Sequence, residues 1–305
     1  MYDLIKNKKL IKERIQALNH SISASRVFLP KNVSKFIFLC GANKSKNSIS
    51  ERRTSLIAFA QKNLPHTQFF LAEKMFTILQ KEGHKDNILD IEHEISQFAD
   101  HILIVLESPS SFAELGAFSH KELRKKLIVI NDSKFESSPS FINMGPLKAI
   151  EEASGKNNVI HYKMENDGVH KLDAIGDVYK PLYELLKEPI KGKASAINID
   201  SCNPAKNFNK LSAMFVHDLI YFAGPVNYKE LVEILIQLFG DKQDFKLKQH
   251  VAILVAFESI TRNDSGLFRS KVGMPYYEYR FDINKFVSTF RNYTLKFFPE
   301  RIYEY

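Results

Sequence analysis

Residues 102–118, ILIVLESPSSFAELGAF, constrain this chain more than any other stretch. Residues 102–106 are an unbroken apolar run of strand length, which reads as a central strand covered on both faces. Glu107, Ser108, Pro109, Ser110 and Ser111 break that pattern with turn residues, and helical spacing is expected from Phe112 onward. Strand, tight turn and helix in that order imply a layered α/β sheet. Glu114 is expected in the first turn of the helix, beyond the carboxyl end of the strand, where open α/β sheets place their ligands. The helix macrodipole favours a charged carboxylate there by about 0.3 to 1 kcal/mol. The position suits a nucleophile; an ordinary N-terminal helix glutamate is the other reading of the same pattern.

The alternation extends in both directions. Residues 36–40 (FIFLC) form a buried strand ending at Gly41, Ala42 and Asn43, where a glycine lets the backbone approach a ligand closely. Ser48 and Ser50 can cap the next helix, whose first turn carries Arg52 and Arg53. Basic residues there oppose the macrodipole unless an anion is shared, so they are candidate phosphate contacts, with solvated surface arginines as the alternative. Further strands are expected at 67–71, 126–130 and 159–162, and helices at about 87–98 and from Phe141 through Asn143. Alternating strands and helices from residue 36 to about 163 argue for an α/β domain with a mostly parallel sheet covered on both faces. No G-x-G-x-x-G or Walker-type loop occurs, so the common dinucleotide and triphosphate cradles are absent. The ten histidines form no H-E-x-x-H and the cysteines no C-x-x-C, so no metal is expected. Composition leaves a Ser-His-Asp triad open, but no G-x-S-x-G elbow supports one.

Flanking regions differ in character. Residues 3–19 place Leu4, Ile5, Ile11, Ile15 and Leu18 among lysines and arginines, an amphipathic basic helix that either packs on its own domain or serves as an interaction arm. A helix over 172–186 gives way to EPIKGKASAINIDSCNPAKN, which reads as a linker. From Phe208, three helical segments with short connections precede two extended runs around glycine turns, an order that resembles a winged helix-turn-helix domain. The expected division is an N-terminal helical arm over 1–34, an α/β domain over 35–165, a helix and linker over 166–206, and the winged helix-turn-helix over 207–305. A chain of 305 residues can bury two cores. Its net charge of +8 favours an acidic partner, with nucleic acid the first candidate. Cys40 and Cys202 cannot make a disulfide framework, which suits a reducing cytoplasm. No apolar run approaches the ~18 residues that cross a bilayer, so no membrane association is expected.

At the carboxyl edge of the expected sheet gather the Gly41 loop, Arg52, Arg53, Glu92, the turn over 108–111 and Glu114. Carboxylates beside a phosphate-attracting corner suit cleavage at the anomeric carbon of a nucleotide. A buried carboxylate can attack C1′ or stabilise its oxocarbenium-like transition state.

The segment from FIFLCG to ADHILIVLESPSSFAELGAF resembles the nucleoside 2-deoxyribosyltransferase family, which implies a flavodoxin-like sheet. That family carries its glutamate nucleophile in an aspartate-proline-glycine-threonine-x-x-glutamate-leucine-glycine block. By that motif Glu114 matches the nucleophile, with Leu115 and Gly116 after it. Ser108 stands where the family commonly has aspartate, Ser110 where it has glycine, Ser111 where it has threonine, and Phe38 where it often has a tyrosine. The resemblance implies that the Gly41 loop with Ala42, Ser110 and Ser111 shapes the ribose site and that Glu92 supplies a second carboxylate.

Over nearly the whole chain, ESPSSFAELGAFSHKELRKKLIVINDSKFESSPSFINMGP together with the C-terminal helices resembles the effector (toxin) subunit of type II-A bacterial retrons. This implies anti-phage defence by abortive infection. A retron reverse transcriptase and its msDNA/msRNA would restrain an N-glycosidase, with NAD the expected substrate rather than a cofactor. The pyrophosphate of NAD would suit Arg52 and Arg53. Its nicotinamide leaves with its own positive charge and needs no general acid, in keeping with serine at Ser108. Lys242, Lys246, Lys248, Arg262, Arg269 and Lys271 are then the expected nucleic-acid contacts, and Tyr276, Tyr277 and Tyr279 either stack on bases or pack on their own helices. Two other readings stay open: a nucleoside or deoxynucleotide hydrolase or deoxyribosyltransferase, and a nucleotide-sensing DNA-binding regulator without catalysis. The sequence also leaves open a homo-oligomer or filament.

Overall fold

Apolar runs separated by helical segments line up as one parallel sheet in a computed structural model of the chain, which describes residues 9–30, 34–46, 48–71, 73, 77–78, 96–187, 195–240 and 245–303. Helix α1 (Lys9–Ser23) and strand β1 (Val27–Leu29) come first. After them come β2 (Lys35–Cys40), a short hairpin of β3 (Asn43–Ser45) and β4 (Ser48–Ile49), α2 (Glu51–Asn63) and β5 (Thr67–Leu71). Then follow β6 (His101–Val105), α3 (Pro109–Phe118), β7 (Leu127–Asp132), α4 (Lys148–Ser154), β8 (Val159–Tyr162) and α5 (Tyr179–Leu186). The strand order is β5-β2-β6-β7-β8, parallel throughout, with Leu39 beside Leu103 and Ile104 beside Val129. Strands covered on both faces must be apolar at nearly every position, and β6 and β7 bury Ile102 to Val105 and Leu127 to Ile130 almost completely. One core cluster joins Leu39, Leu103, Val105 and Ile128 to Leu56 and Ala60 of α2 and to Leu182 and Leu186 of α5. The chain leaves β2 toward the β5 edge, then returns to β6 and proceeds to the β8 edge. The direction therefore reverses between β2 and β6, the crevice where open α/β sheets bind ligands.

The helix after β6 begins three residues earlier than the spacing from Phe112 suggests. Ser108 is its N-cap: the Ser108 hydroxyl accepts from the Ser111 N–H, Ser111 Oγ accepts from the Ser108 N–H, and Pro109 occupies the first helical position. This capping box satisfies two N–H groups that a helix start otherwise leaves open, and proline costs nothing there. Glu114 consequently sits in the second turn rather than the first, so the macrodipole contributes less than expected, since its effect is confined to the terminal turn.

The chain divides into two compact units: one comprises Ser34–Phe76 and Asp86–Ile190, the other Met1–Val33, Thr77–Lys85 and Lys191–Tyr305. Residues 174–186 thus belong to the sheet's unit, because Ile175, Val178, Leu182 and Leu186 complete its core. In the second unit β9 (Ser195–Ala196), α6 (Ile199–Cys202), α7 (Lys210–Ala223), α8 (Tyr228–Phe239) and α9 (Leu247–Ala256) precede the antiparallel pair β10 (Ile260–Arg262) and β11 (Phe268–Ser270). Strand β12 (Glu278–Tyr279) and helices α10 (Ile283–Phe297) and α11 (Glu300–Tyr303) follow. Helix α1 is no free arm: Ile11, Ile15, Leu18 and Ile22 are buried, and the helix packs against α8 and α10. Asn209 and Asn227 cap α7 and α8 through capping boxes. Asp218 on α7 accepts from the N–H groups of Tyr276 and Tyr277, the Tyr279 hydroxyl and His217 Nδ1, pinning the segment before β12 to that helix. The tyrosines accordingly pack inward, with Tyr276 and Tyr277 buried. Both cysteines are reduced and buried, and among the described residues no helix is long and apolar enough to cross a membrane.

Candidate functional site

Glu107 follows β6 at the carboxyl edge, and its side chain is fully buried. A carboxylate placed there must be hydrogen-bonded or paired. Oε1 accepts from the Ala42 N–H at 3.0 Å and the Ser50 hydroxyl at 2.6 Å, while Oε2 meets Arg52 Nη1 at 3.1 Å. Gly41 makes this possible, since a Cβ there would stand 2.9 Å from both Glu107 Oε1 and Arg53 Cδ. Glu107 therefore ties together the loop after β2, the start of α2 and the end of β6. Local pattern alone presented it as a turn residue; the missed signal is a charge placed directly after a strand buried on both faces.

Arg52 and Arg53 stand in the first turn of α2 as expected, capped by Ser50, but their donors face inward. Arg52 binds Asp173 through Nε and Nη2 at 2.9 and 2.7 Å, Glu107 through Nη1, and the Glu165 carbonyl at 2.7 Å. Burial alone favours loss of its proton, yet the hydrogen bonds to Asp173 and Glu107 outweigh that and raise its pKa. Gly168 leaves room for this guanidinium, because a Cβ would lie 2.3 Å from Nη2. Arg53 is fully buried and grips Glu73 with Nη1 and Nη2 at 2.7 and 3.2 Å, with Nη2 also reaching the Leu39 carbonyl at 2.8 Å. Both arginines thus meet carboxylates of the chain and brace the loops, as buried guanidinium groups must.

These paired carboxyls carry a pH signature. Burial tends to raise Glu73, but the hydrogen bonds and charge of Arg53 hold it below its usual range, and Lys134 does the same for Asp132 at the end of β7. A carboxyl depressed by folding contributes stability that is fully present above its unfolded value and lost as pH falls through its folded value. Thermal melts are expected to drop steeply below about pH 4.5. Lys134→Ala is expected to flatten the acid limb by removing the share of Asp132; an unchanged slope would overturn that assignment.

A cavity of about 320 Å³ opens at the carboxyl edges of β6, β7 and β8, lined by Arg52, Glu107, Ser108, Phe112, Phe135 and Glu165 among others. Ser108 thus reaches it, whereas Ser110 is exposed and Ser111 is buried with its hydroxyl donating to the Ser108 carbonyl. Glu114 is half-buried, with Oε2 shielded from solvent, and does not line this cavity. Two residues separate it from Phe112, about 200° around a helix. Phe118, one turn beyond Glu114, packs edge-on against Phe38 of β2 with centroids 5.9 Å apart. Glu114 therefore shares a side of α3 with Phe118, which packs on β2, and lies away from the side on which Phe112 lines the cavity. Asn143, expected to contact substrate, instead donates its amide to the carbonyls of Phe135 and Ser138 at 2.6 and 2.7 Å. Glu92 and Lys242 lie outside the described residues.

In the second unit Lys246, Lys248, Arg262, Arg269 and Lys271 are exposed. Arg262 lies over the rings of Tyr228 and Phe268, Lys246 over that of Phe208, and Lys271 pairs with Glu258 at 3.7 Å. Ser270 Oγ stands 2.8 Å from His217 Nε2, and His217 Nδ1 stands 2.9 Å from Asp218, which has the connectivity of a hydrolase triad. Ser270, however, donates its hydroxyl to the Val272 carbonyl at 2.8 Å and accepts from the Val272 N–H at 3.1 Å, so its oxygen is committed to the backbone and the group acts as a latch on the segment after β11.

Comparison with known proteins bears on both units. The family described as STM3845 retron effector protein matches residues 48–262. A relative from Escherichia coli retron Ec73, provisionally named a ribosyltransferase/DNA-binding protein, is 41% identical over 310 aligned residues, covering 99% of this chain and 98% of the relative. A second, from Escherichia coli retron Ec86 and provisionally named in the same way, is 32% identical over 243 residues, covering 78% of this chain and 75% of the relative.

Proposed function

Because this chain belongs to the STM3845 retron effector protein family, we propose that it is the toxin of an anti-phage retron, an N-glycosidase that attacks the anomeric carbon of a nucleotide through Glu114. The observation that supports this reading is the contact of Phe118, one turn beyond Glu114, with Phe38 of β2, the strand beside which the sheet order reverses. The other carboxylate at the end of β6 is unsuited to attack, since both oxygens of Glu107 are held by Arg52, Ser50 and the Ala42 N–H. The names of the relatives, which point to ribosyl transfer, support the same class of chemistry. The nucleophile forms a bond to C1′ as the C1′–N bond breaks; water then releases the ribosyl group. NAD is the substrate of choice because nicotinamide departs without a general acid, and no aspartate stands at Ser108. The α/β unit is then of the deoxyribosyltransferase type. Helices α7 to α9 with the β10–β11 pair form a winged helix-turn-helix through which msDNA or the reverse transcriptase restrains the toxin.

Purified protein incubated with NAD is expected to yield nicotinamide and ADP-ribose, read by chromatography. Release of free purine or pyrimidine from deoxynucleotides with NAD left intact would sink the NAD assignment and favour the hydrolase or transferase reading.

A further inference from the structure

Between β7 and α4 the chain holds an aromatic ring at the cavity mouth that the proposed chemistry leaves unused. Phe135 lines the cavity yet stays 47% exposed. Asn143 fixes the backbone under it by donating one amide nitrogen to the carbonyls of Phe135, Glu136 and Ser138. Lys134 fixes the ring, with Nζ 4.7 Å from the ring centroid and 2.8 Å from Asp132 Oδ2. Exposure alone marks nothing, since Phe141 is 83% exposed; what distinguishes Phe135 is that its ring is held from two sides at the mouth of a cavity, a pre-organised flat surface for a ligand. The cavity brings a second ring, Phe112, and the amide of Asn166, a combination of flat apolar surface and hydrogen-bonding groups that fits a nucleobase.

We infer that Phe135, presented by the Asn143 clamp, is the stacking wall for an aromatic base of the substrate, and that this base is not the one that leaves. The inference rests on the nucleotide reading of the site and narrows it. Phe112 and Glu114 point to opposite sides of α3, so a ring in the cavity lies across the helix start from the attacking carboxylate. A substrate that engages both sides carries two aromatic groups joined by a polar bridge, as a dinucleotide does. Asn143 acts through Phe135 and is a positioning residue.

The sequence contains no tryptophan and 12 tyrosines, so Phe135→Trp, excited selectively beyond tyrosine absorption, makes a single tryptophan reporter in the full-length protein. Adenosine 5′-monophosphate is expected to quench it saturably, and ribose 5-phosphate, which lacks a base, to leave it unchanged. No quenching by the nucleotide, or equal quenching by the sugar phosphate, overturns the stacking wall. Phe135→Ala is expected to raise KM for NAD about tenfold with kcat unchanged, while KM for nicotinamide mononucleotide, which has no second base, stays put. Phe135→Tyr is expected to restore the wild-type KM, and Asn143→Ala to raise KM alone. A fall in kcat without a change in KM assigns Asn143 to the fold and overturns its positioning role. Fluorescence is repeated in the Glu114→Gln background, where binding survives without turnover. Quenching there, with no glycosidase activity in the parent protein, refutes the enzymatic reading and keeps the base site; activity without quenching does the reverse.

Discussion

Glu114→Gln is expected to reduce single-turnover cleavage at least about a thousandfold, a loss of ~4 kcal/mol of transition-state stabilisation. The amide keeps the shape of the carboxylate and removes both its charge and its power to form the ribosyl ester. Glu114 is half-buried in the second turn of α3 and takes no part in the capping box that starts the helix. The melting temperature is accordingly expected to stay within about 2 °C of the parent, in the range of substitutions that leave packing intact. The same variant is expected to lose toxicity and phage protection in cells. Turnover within about threefold of the parent would remove Glu114 from catalysis and leave the nucleotide-sensing regulator as the better account.

Glu107→Ala is expected to act on stability. Its carboxylate joins Ala42, Ser50 and Arg52, and its loss leaves a buried guanidinium with Asp173 as its remaining carboxylate partner. Breaking a buried pair from one side typically costs about 3–5 kcal/mol. For a unit of this size the melting transition is expected to fall by roughly 10 °C. Glu107→Gln, which can still accept from the Ala42 N–H and Ser50, is expected to fall less. A Glu107→Ala melt within about 2 °C of the parent would mean that the three loops hold together without this carboxylate.

The five strands of the sheet were legible because a buried strand leaves a contiguous apolar run, and 159–162 matches β8 to the residue. Local chemistry was less legible wherever a partner came from afar. Arg52 reads as a phosphate ligand until Asp173, 121 residues away, closes on it. Glu73 closes on Arg53 from only 20 residues away, but no periodic pattern links the two. Apolar spacing alone starts α3 too late, because the Ser108, Pro109 and Ser111 cap lies ahead of the first apolar position. Asn143 reads as a substrate contact, yet its amide serves the loop behind it. Glu114 was placed on the right helix, while its turn and the side it faces needed three dimensions.

Helix α9 buries seven of its ten residues, leaving Lys248 exposed and Gln249 and Val255 partly so. Such a helix has almost no vocabulary for base edges. Any nucleic acid that meets this unit would be held by its charge and shape, with an affinity that follows ionic strength closely and base order hardly at all.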